Sequence, residues 1–230
     1  IDLQECMIIP LQKSFRERLR AGAEIFHALG KILKQKGFAT LVGDEGGYAP
    51  KLPGNEAAFK LLIQAIRAAG YRPGKDVALG MDAASSEFYD AKKGVYVMRS
   101  DKKKRAPAQM LAMYRAWTKK YPLISIEDPF AEDDWSSWKA ITKAIGKKTR
   151  LVGDDLFVTN VARLQQGIRQ NVANAILIKV NQIGTLSETI AAIRLAQKHG
   201  YAVSVSHRSG ETPDTTIADL AVAVSAEYIK

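Results

Sequence analysis

The stretch "ISIEDPFAEDDW", residues 124–135, places a dense group of carboxylates directly behind an apolar segment. Leu123, Ile124 and Ile126 are typical of a buried strand, and acidic residues follow them in a chain whose formal net charge is +10 at pH 7. Only Glu127 continues the line of the strand, with Asp128 beside it. The other acids, Glu132, Asp133 and Asp134, are expected in a loop and at the start of the next helix, where the helix dipole stabilises negative charge. Glu127 is therefore the acid in this stretch with a candidate functional role.

Short apolar stretches of this kind alternate with helical patterns along the chain. The strand candidates are "VALGM", "LISI", "RLVG", "AILIKV" and "AVSVS", preceded by a first strand candidate within residues 1–10. Strands of unbroken apolar character that alternate with helices are typical of a parallel sheet covered by helices. The sequence therefore predicts an α/β fold.

The helix boundaries are marked by capping residues. A helix is predicted from about Ser14 to Lys36, with Ser14 and Glu17 as a capping box and Gly37 at its end. Asn55 is predicted to cap a second helix, and Thr185 with Glu188 forms another capping box further along.

A polar residue follows each successive apolar stretch at a regular interval. The steps between them are 45, 27, 25, 28 and 23 residues, and the residues are Asp82, Glu127, Asp154, Lys179, His207 and Lys230. An eight-unit α/β barrel of ~250 residues uses roughly 30 residues per unit, and its active site lies at the carboxyl ends of the strands. The spacing thus favours a TIM-like barrel; a doubly wound open sheet is the alternative, but no GxGxxG turn or Walker loop supports it.

Charge and cysteine content limit the classes of protein that remain. The basic runs "DKKKR" (residues 101–105) and "GKKTR" (residues 146–150) are expected to be solvated loops. A nucleic-acid surface is less favoured, because no aromatic RNA-binding motif or zinc-finger spacing accompanies them. The single cysteine excludes an internal disulfide, and no secretory signal or long apolar run is present. We expect a cytoplasmic protein without a membrane segment.

Three of the strand-end residues, Asp82, Glu127 and Asp154, are carboxylates at consecutive predicted strand ends. Charges ~5 Å apart at an effective dielectric near 20 repel by roughly 3 kcal/mol per pair. A hard divalent cation would offset this repulsion, and oxygen ligands suit Mg²⁺. The alternative is that each acid only caps a strand end at the surface.

The remaining polar motifs favour acid–base chemistry on a phosphorylated substrate. Lys179 follows apolar residues in "ILIKVNQ", a setting that favours the neutral amine required of a base, although a strand-end lysine that only reaches solvent is the alternative. In "SHRSGE", His207, Arg208 and Ser209 offer a guanidinium and a hydroxyl, which suit a phosphate. Glycines flank Glu45 in "VGDEGG", as expected of a mobile loop that brings an acid to a site.

Several longer motifs resemble those of enolases, the glycolytic 2-phosphoglycerate dehydratases, and occur in the same order. They are "QECMI", "GDEGGYAP", "MDAASSEFYD", "SIEDPFAEDDW", "GDDLFVTN", "LIKVNQIGTLSE" and "SHRSGETPDTTIADL". The resemblance covers residues 1–230 and implies an enolase-type catalytic barrel that lacks its first strand, its final helix and the N-terminal α+β domain. About seven of the eight barrel strands are expected.

The resemblance also implies residue roles for an Mg²⁺-dependent lyase that acts through an enediolate. Asp82, Glu127 and Asp154 match the ligands of the tight-binding Mg²⁺, and Lys179 matches the base that removes the proton from carbon 2. Glu45 matches the acid that assists departure of the 3-hydroxyl, with the help of Glu5. The residues that match substrate contacts are Gln4, His207, Arg208, Ser209 and Lys230.

The resemblance further implies a second Mg²⁺, held in part by a serine of the N-terminal domain, and pairing of the complete protein as a dimer. Two alternatives remain at the level of sequence. One is a relative in the same superfamily that acts on another carboxylate. The other is a non-catalytic scaffold that binds RNA or a protein partner through its basic loops.

Overall fold

The computed structural model describes residues 1–230 and divides the chain into two compact units. Unit 1 comprises Ile1–Ala83 and Phe88–Ser125, and unit 2 comprises Ala84–Glu87 and Ile126–Lys230. Ten strands and eight α-helices form; seven of the strands belong to one sheet and three to a small second sheet.

Unit 1 carries the first six strands and the first three helices. In chain order these are β1 Glu5–Pro10, α1 Phe15–Gln35, α2 Asn55–Ala68, β2 Val77–Asp82, β3 Tyr89–Asp90, β4 Val95–Met98, β5 Lys103–Arg105, α3 Pro107–Lys120 and β6 Leu123–Glu127, whose last two residues belong to unit 2. Every residue of β2 is buried, which explains its unbroken apolar sequence.

The first strand pair of unit 1 differs from the expected parallel arrangement. β1 is antiparallel to β2, with Glu5 opposite Asp82 and Pro10 opposite Val77. An apolar run does not encode the direction of a strand, because both arrangements bury the same side chains.

The basic run at residues 101–105 is not a simple solvated loop. Residues Lys103–Arg105 form β5, which pairs antiparallel with β4, and β4 pairs antiparallel with β3. Tyr96 and Met98 alternate inward from β4 and are fully buried. The lysines lie on an exposed edge strand, where charge opposes pairing with other chains.

The helix ends of unit 1 agree with the capping signals in one case and not in another. Ser14 is the N-cap of α1 and its hydroxyl accepts the Glu17 N–H at 3.3 Å, while Gly37 ends the helix at φ 74°. Asn55, by contrast, is the first residue of α2 rather than its cap. Its side chain instead accepts the Asp2 N–H at 2.8 Å and donates to the Asp2 carboxylate at 3.0 Å.

Unit 2 continues with helices and strands in alternation. In chain order these are α4 Trp135–Ile145, β7 Arg150–Gly153, α5 Val161–Gln170, β8 Ala175–Ile178, the single-turn α6 Val180–Ile183, α7 Leu186–Lys198, β9 Ala202–Val205, α8 Thr216–Ala223 and β10 Tyr228–Ile229. The seven-stranded sheet has the order β1-β2-β6-β7-β8-β9-β10, and in it β7 is parallel to β8, β8 to β9 and β9 to β10, as predicted. Thr185 is the N-cap of α7, as predicted, and its hydroxyl accepts the Glu188 N–H at 3.2 Å; the Glu188 carboxylate accepts from the Thr185 hydroxyl at 2.6 Å.

The longest helix, α1, is amphipathic, and no helix of the structure is both long enough and apolar enough to cross a membrane.

Candidate active site

The parallel strands of unit 2 deliver most of the predicted residues to their carboxyl ends. Glu127 is the last residue of β6, Asp154 follows β7, Lys179 follows β8 and Lys230 follows β10. Glu127 and Asp154 are only 3% and 5% exposed. These acids are therefore buried groups and not surface caps, which removes one alternative that the sequence left open.

Lys179 and Asp154 form a largely buried ion pair between neighbouring strand ends. The Lys179 Nζ lies 2.6 Å from Asp154 Oδ2, and the two side chains are 16% and 7% exposed. The second carboxylate oxygen, Asp154 Oδ1, is buried without a hydrogen-bond partner. A buried carboxylate oxygen in that state is unfavourable unless another positive group binds it.

Lys230 forms a second buried pair, with Glu127. Its Nζ lies 3.0 Å from Glu127 Oε1, and the side chains are 15% and 3% exposed. The Lys230 N–H donates to the Val205 carbonyl at 2.8 Å, so the backbone that carries this lysine is fixed along β9. Unit 2 therefore presents two acid–lysine pairs at the ends of its strands.

Asp128 holds the backbone from which Asp154 projects. Its two carboxylate oxygens accept the Asp154 N–H at 3.0 Å and the Asp155 N–H at 2.7 Å. Asp128 is 2% exposed and has a φ of 39°, an unusual conformation for a residue with a Cβ. The position beside the strand end that the sequence indicated is thus a supporting one.

The motif "SHRS" lies beyond β9, and its first residues contact the neighbouring strand ends. The His207 N–H donates to the Lys230 carbonyl at 3.1 Å, whereas Ser209 is exposed. Arg208 Nη1 donates to Asn181 Oδ1 at 3.1 Å. Asn181 was not identified from the sequence, because its only signal is a position two residues after Lys179.

Unit 1 brings two further predicted residues together. Glu5 is the first residue of β1 and lies opposite Asp82, the last residue of β2, so both side chains share one face of the pair. Asp82 is 1% exposed, while Gln4 is exposed just before the strand. Burial, with the negative charges of Glu5 and Asp82, raises the pKa of the neighbouring Cys6 thiol to about 12.

Glu45 lies in a tight turn between α1 and α2. The Gly43 N–H donates to Gly47 O and the Gly46 N–H to Gly43 O, both at 2.9 Å, and Gly46 has a φ of 78°. Glu45 is half-buried although both of its neighbours are exposed. The turn thus directs this one acid inward.

The donor set of unit 2 fits a hard cation. Asp128, Asp154 and Asp155 each place a carboxylate oxygen within 4.8 Å of the others. Both oxygens of Asp128 already accept backbone N–H groups, so the unpartnered Oδ1 of Asp154 is the oxygen best suited to a metal ion. These residues form an acidic group that could hold a metal.

Buried acids and partly buried lysines lie at the carboxyl ends of β6, β7, β8 and β10, and this is the end of the strands at which α/β barrels carry their active sites. The sequence matches the family model described as "Enolase, C-terminal TIM barrel domain" over residues 1–230. The chain therefore belongs to the enolase C-terminal TIM barrel family, and the predicted fold class is confirmed. The seven-stranded sheet agrees with the expected number of barrel strands.

Proposed function

We propose that the intact protein is a cytoplasmic, Mg²⁺-dependent lyase of glycolysis that interconverts 2-phosphoglycerate and phosphoenolpyruvate. The observation that carries this proposal is the buried contact between Lys179 Nζ and Asp154 Oδ2 at 2.6 Å. It brings a candidate base and a candidate metal ligand together at adjacent strand ends, and removal of a weakly acidic carbon proton uses both kinds of group. Family membership supports the same reaction.

In this proposal Asp82, Glu127 and Asp154 hold the tight-binding Mg²⁺, and a second Mg²⁺ completes the active site. When bound, the cations neutralise the substrate carboxylate and the charge that develops as its neighbouring carbon loses a proton. The unpartnered Asp154 Oδ1 and the burial of all three carboxylates support their assignment as ligands.

The proton-transfer groups act on opposite sides of the reaction. Lys179 accepts the proton from carbon 2 to give an enediolate, and its partial burial limits exchange of that proton with water. Glu45, with Glu5, donates a proton to the departing 3-hydroxyl. The half-buried position of Glu45 within an exposed turn supports this role.

The substrate is oriented by cationic and polar groups. Arg208 and Ser209 are proposed to contact the phosphate, Lys230 the carboxylate, and His207 and Gln4 the remainder of the molecule. The hydrogen bond from Arg208 Nη1 to Asn181 Oδ1 engages one nitrogen of the guanidinium, whose planar group suits a contact to an oxyanion. We further propose that the intact protein forms a dimer.

The proposal is tested by dehydration of 2-phosphoglycerate by the intact protein with Mg²⁺, followed through the absorbance of the enol product. We expect turnover in the wild type and its loss by at least about 10³-fold in Lys179→Ala, because one group supplies the base. Lys120→Ala is the matched control, since Lys120 also forms an ion pair with a carboxylate, Glu56, but on the surface. A wild type without turnover, or equal losses in both variants, would disprove the proposal.

A further inference from the structure

One turn of unit 2 holds the same lysine at two points. We call residues 153–160, "GDDLFVTN", the apolar turn. At its start, Asp154 Oδ2 contacts the Lys179 Nζ at 2.6 Å. Near its end, the Thr159 hydroxyl oxygen accepts the Lys179 backbone N–H at 2.9 Å. Both the amine and the backbone of Lys179 are thus held by groups only five positions apart in the chain.

The apolar turn is rigid because it is closed by its own hydrogen bonds and buried. The Asp154 carbonyl accepts N–H groups from Phe157 at 3.1 Å and Val158 at 2.7 Å. Leu156, Phe157 and Thr159 are fully buried. Arg163 Nε also donates to the Leu156 carbonyl at 2.6 Å, which ties the turn to helix α5.

Two consecutive β-branched residues of the turn adopt a conformation that such residues avoid. Val158 has a φ of 44° and Thr159 a φ of 54°, in the left-handed region. Strain of this kind is retained where surrounding structure enforces it, and it often marks functional sites. Here it accompanies a Thr159 hydroxyl that lies within hydrogen-bond distance of Lys179.

The directions of the hydrogen bonds made by the Thr159 hydroxyl are also fixed. It donates to Gln182 Oε1 at 3.3 Å, so its lone pairs remain for the Lys179 N–H. Gln182 lies in the single-turn helix α6, for which Lys179 is the N-cap. The Thr159 hydroxyl therefore contacts both Lys179, the residue that follows β8, and helix α6, which comes next in the chain.

The geometry points to Thr159 as a positioning residue for Lys179 in proton transfer, an inference that rests on the proposed function and extends it. A lysine amine sits on a flexible four-carbon stem, so its position depends on a fixed backbone as well as on a partner for its charge. Asp154 supplies the partner and Thr159 supplies the fixed backbone. Thr159 does not touch the reacting atoms in this scheme.

The test compares three variants of the intact protein under saturating Mg²⁺. Thr159→Val removes the hydroxyl and keeps the side-chain shape, whereas Thr159→Ser keeps the hydroxyl. Thr142→Val is the matched control: the Thr142 hydroxyl also accepts a backbone N–H, from Ala173 at 2.9 Å, on a helix outside the site. The readouts are kcat, KM and amide hydrogen exchange at Lys179.

We expect Thr159→Val to lower kcat by about 10- to 100-fold with KM changed less than about 3-fold, because a small misplacement of a reacting group costs up to about 10²-fold. Thr159→Ser should restore most of kcat, and Thr142→Val should retain it. The Lys179 amide should exchange faster in Thr159→Val than in the other two variants.

Three results would overturn the inference. The first is a kcat of Thr159→Val equal to that of Thr142→Val, and the second is failure of Thr159→Ser to restore kcat. The third is an amide hydrogen-exchange rate at Lys179 that is the same with and without the Thr159 hydroxyl. A wild type without turnover overturns the proposed function and this inference together, whereas normal turnover in Thr159→Val overturns this inference alone.

Discussion

Two turns of the molecule begin with almost the same residues and are built in opposite ways. The glycine-rich turn (residues 43–50) reads Gly-Asp-Glu-Gly-Gly, and the apolar turn reads Gly-Asp-Asp-Leu-Phe. In the first, Gly43, Asp44, Gly46 and Gly47 are exposed, and a Cβ at any of the three glycines would meet no atom within 4 Å. In the second, a Cβ on Gly153 would lie 2.5 Å from the Phe157 ring.

The difference shows how similar sequence openings can form an exposed turn in one place and a buried turn in another. An exposed turn with glycines and few buried contacts opens at low cost, as an acid that moves with substrate requires. A turn closed around a buried aromatic ring holds its carboxylate in one position, as a metal ligand requires. The residues after the first three decide which of the two is formed.

The largest effect that would test this contrast is removal of the ring at the centre of the apolar turn. Phe157→Ala should lower the free energy of unfolding by about 3–5 kcal/mol, because a fully buried aromatic side chain is replaced by a cavity. Chemical denaturation measures the change. Leu41→Ala, at a side chain 78% exposed beside the glycine-rich turn, should stay within about 0.5 kcal/mol. Similar losses in both variants would contradict the contrast.

A second test uses the aspartate that each turn carries at the same position. Saturating Mg²⁺ at about 100 times its Kd should stabilise the wild type by about 2.7 kcal/mol, measured as a rise in Tm. Asp154→Asn should lose this stabilisation, because the candidate ligand with the unpartnered oxygen is gone. Asp44→Asn alters an exposed carboxylate and should retain it. A Tm response to Mg²⁺ that persists in Asp154→Asn would exclude this aspartate as a ligand.

A third test exchanges glycine for alanine in the two turns. Gly153→Ala should cost about 1–3 kcal/mol, because its new methyl group overlaps the Phe157 ring, which is itself enclosed by Gly167. Gly47→Ala has open space around the new methyl group and should change stability by less than about 0.5 kcal/mol. Urea unfolding at matched m-values distinguishes the two outcomes, and a neutral Gly153→Ala would show that the apolar turn can rearrange.

The smallest predicted effect is that of the surface ion pair between Glu56 and Lys120. Its pH dependence is the reference with which the acid stability of the aspartate variants is compared. The Lys120 ammonium, with the Tyr121 hydroxyl and the Trp117 indole N–H, holds the pKa of Glu56 below its usual 4.5. Stability from this group is present above pH 4.5 and is lost as pH falls through the lower pKa of the folded state. Because the pair lies at the surface, Glu56→Gln should cost less than about 1 kcal/mol at pH 7.

The contribution of this ion pair is measured as the difference in free energy of unfolding between the wild type and Glu56→Gln, from pH 7 to strongly acidic pH. The difference between the two proteins should shrink as pH falls. A difference that grows in acid would show that Glu56 is not stabilised as an anion in the folded state.

The strand ends of the candidate site were predictable because apolar runs stop where polar residues begin. Glu127, Asp154, Lys179 and Lys230 all lie at or directly after a strand in the structure. The direction of β1 was not predictable from the same signal, since burial is equal in parallel and antiparallel pairs. Whether the carboxylates hold Mg²⁺ and which residues contact substrate remain predictions.

Long-range hydrogen bonds account for most of what the sequence did not reveal. Asn55 was a plausible helix cap by local pattern, yet it binds Asp2, which is distant in the chain. Thr159 precedes the cap residue Asn160 and has no local signal of its own. Its role depends on an unusual φ and on a partner, Lys179, that only the fold brings near.

The antiparallel pairing of β1 with β2 makes this part of the gene sensitive to small deletions. Glu5 shares a face with Asp82 only because it lies five positions before Pro10, which pairs with Val77. An in-frame loss of one codon within that interval would turn Glu5 to the opposite face, since strand side chains alternate. Substitutions at the same positions keep the spacing, so this strand should tolerate exchange of its residues far better than any change in their number.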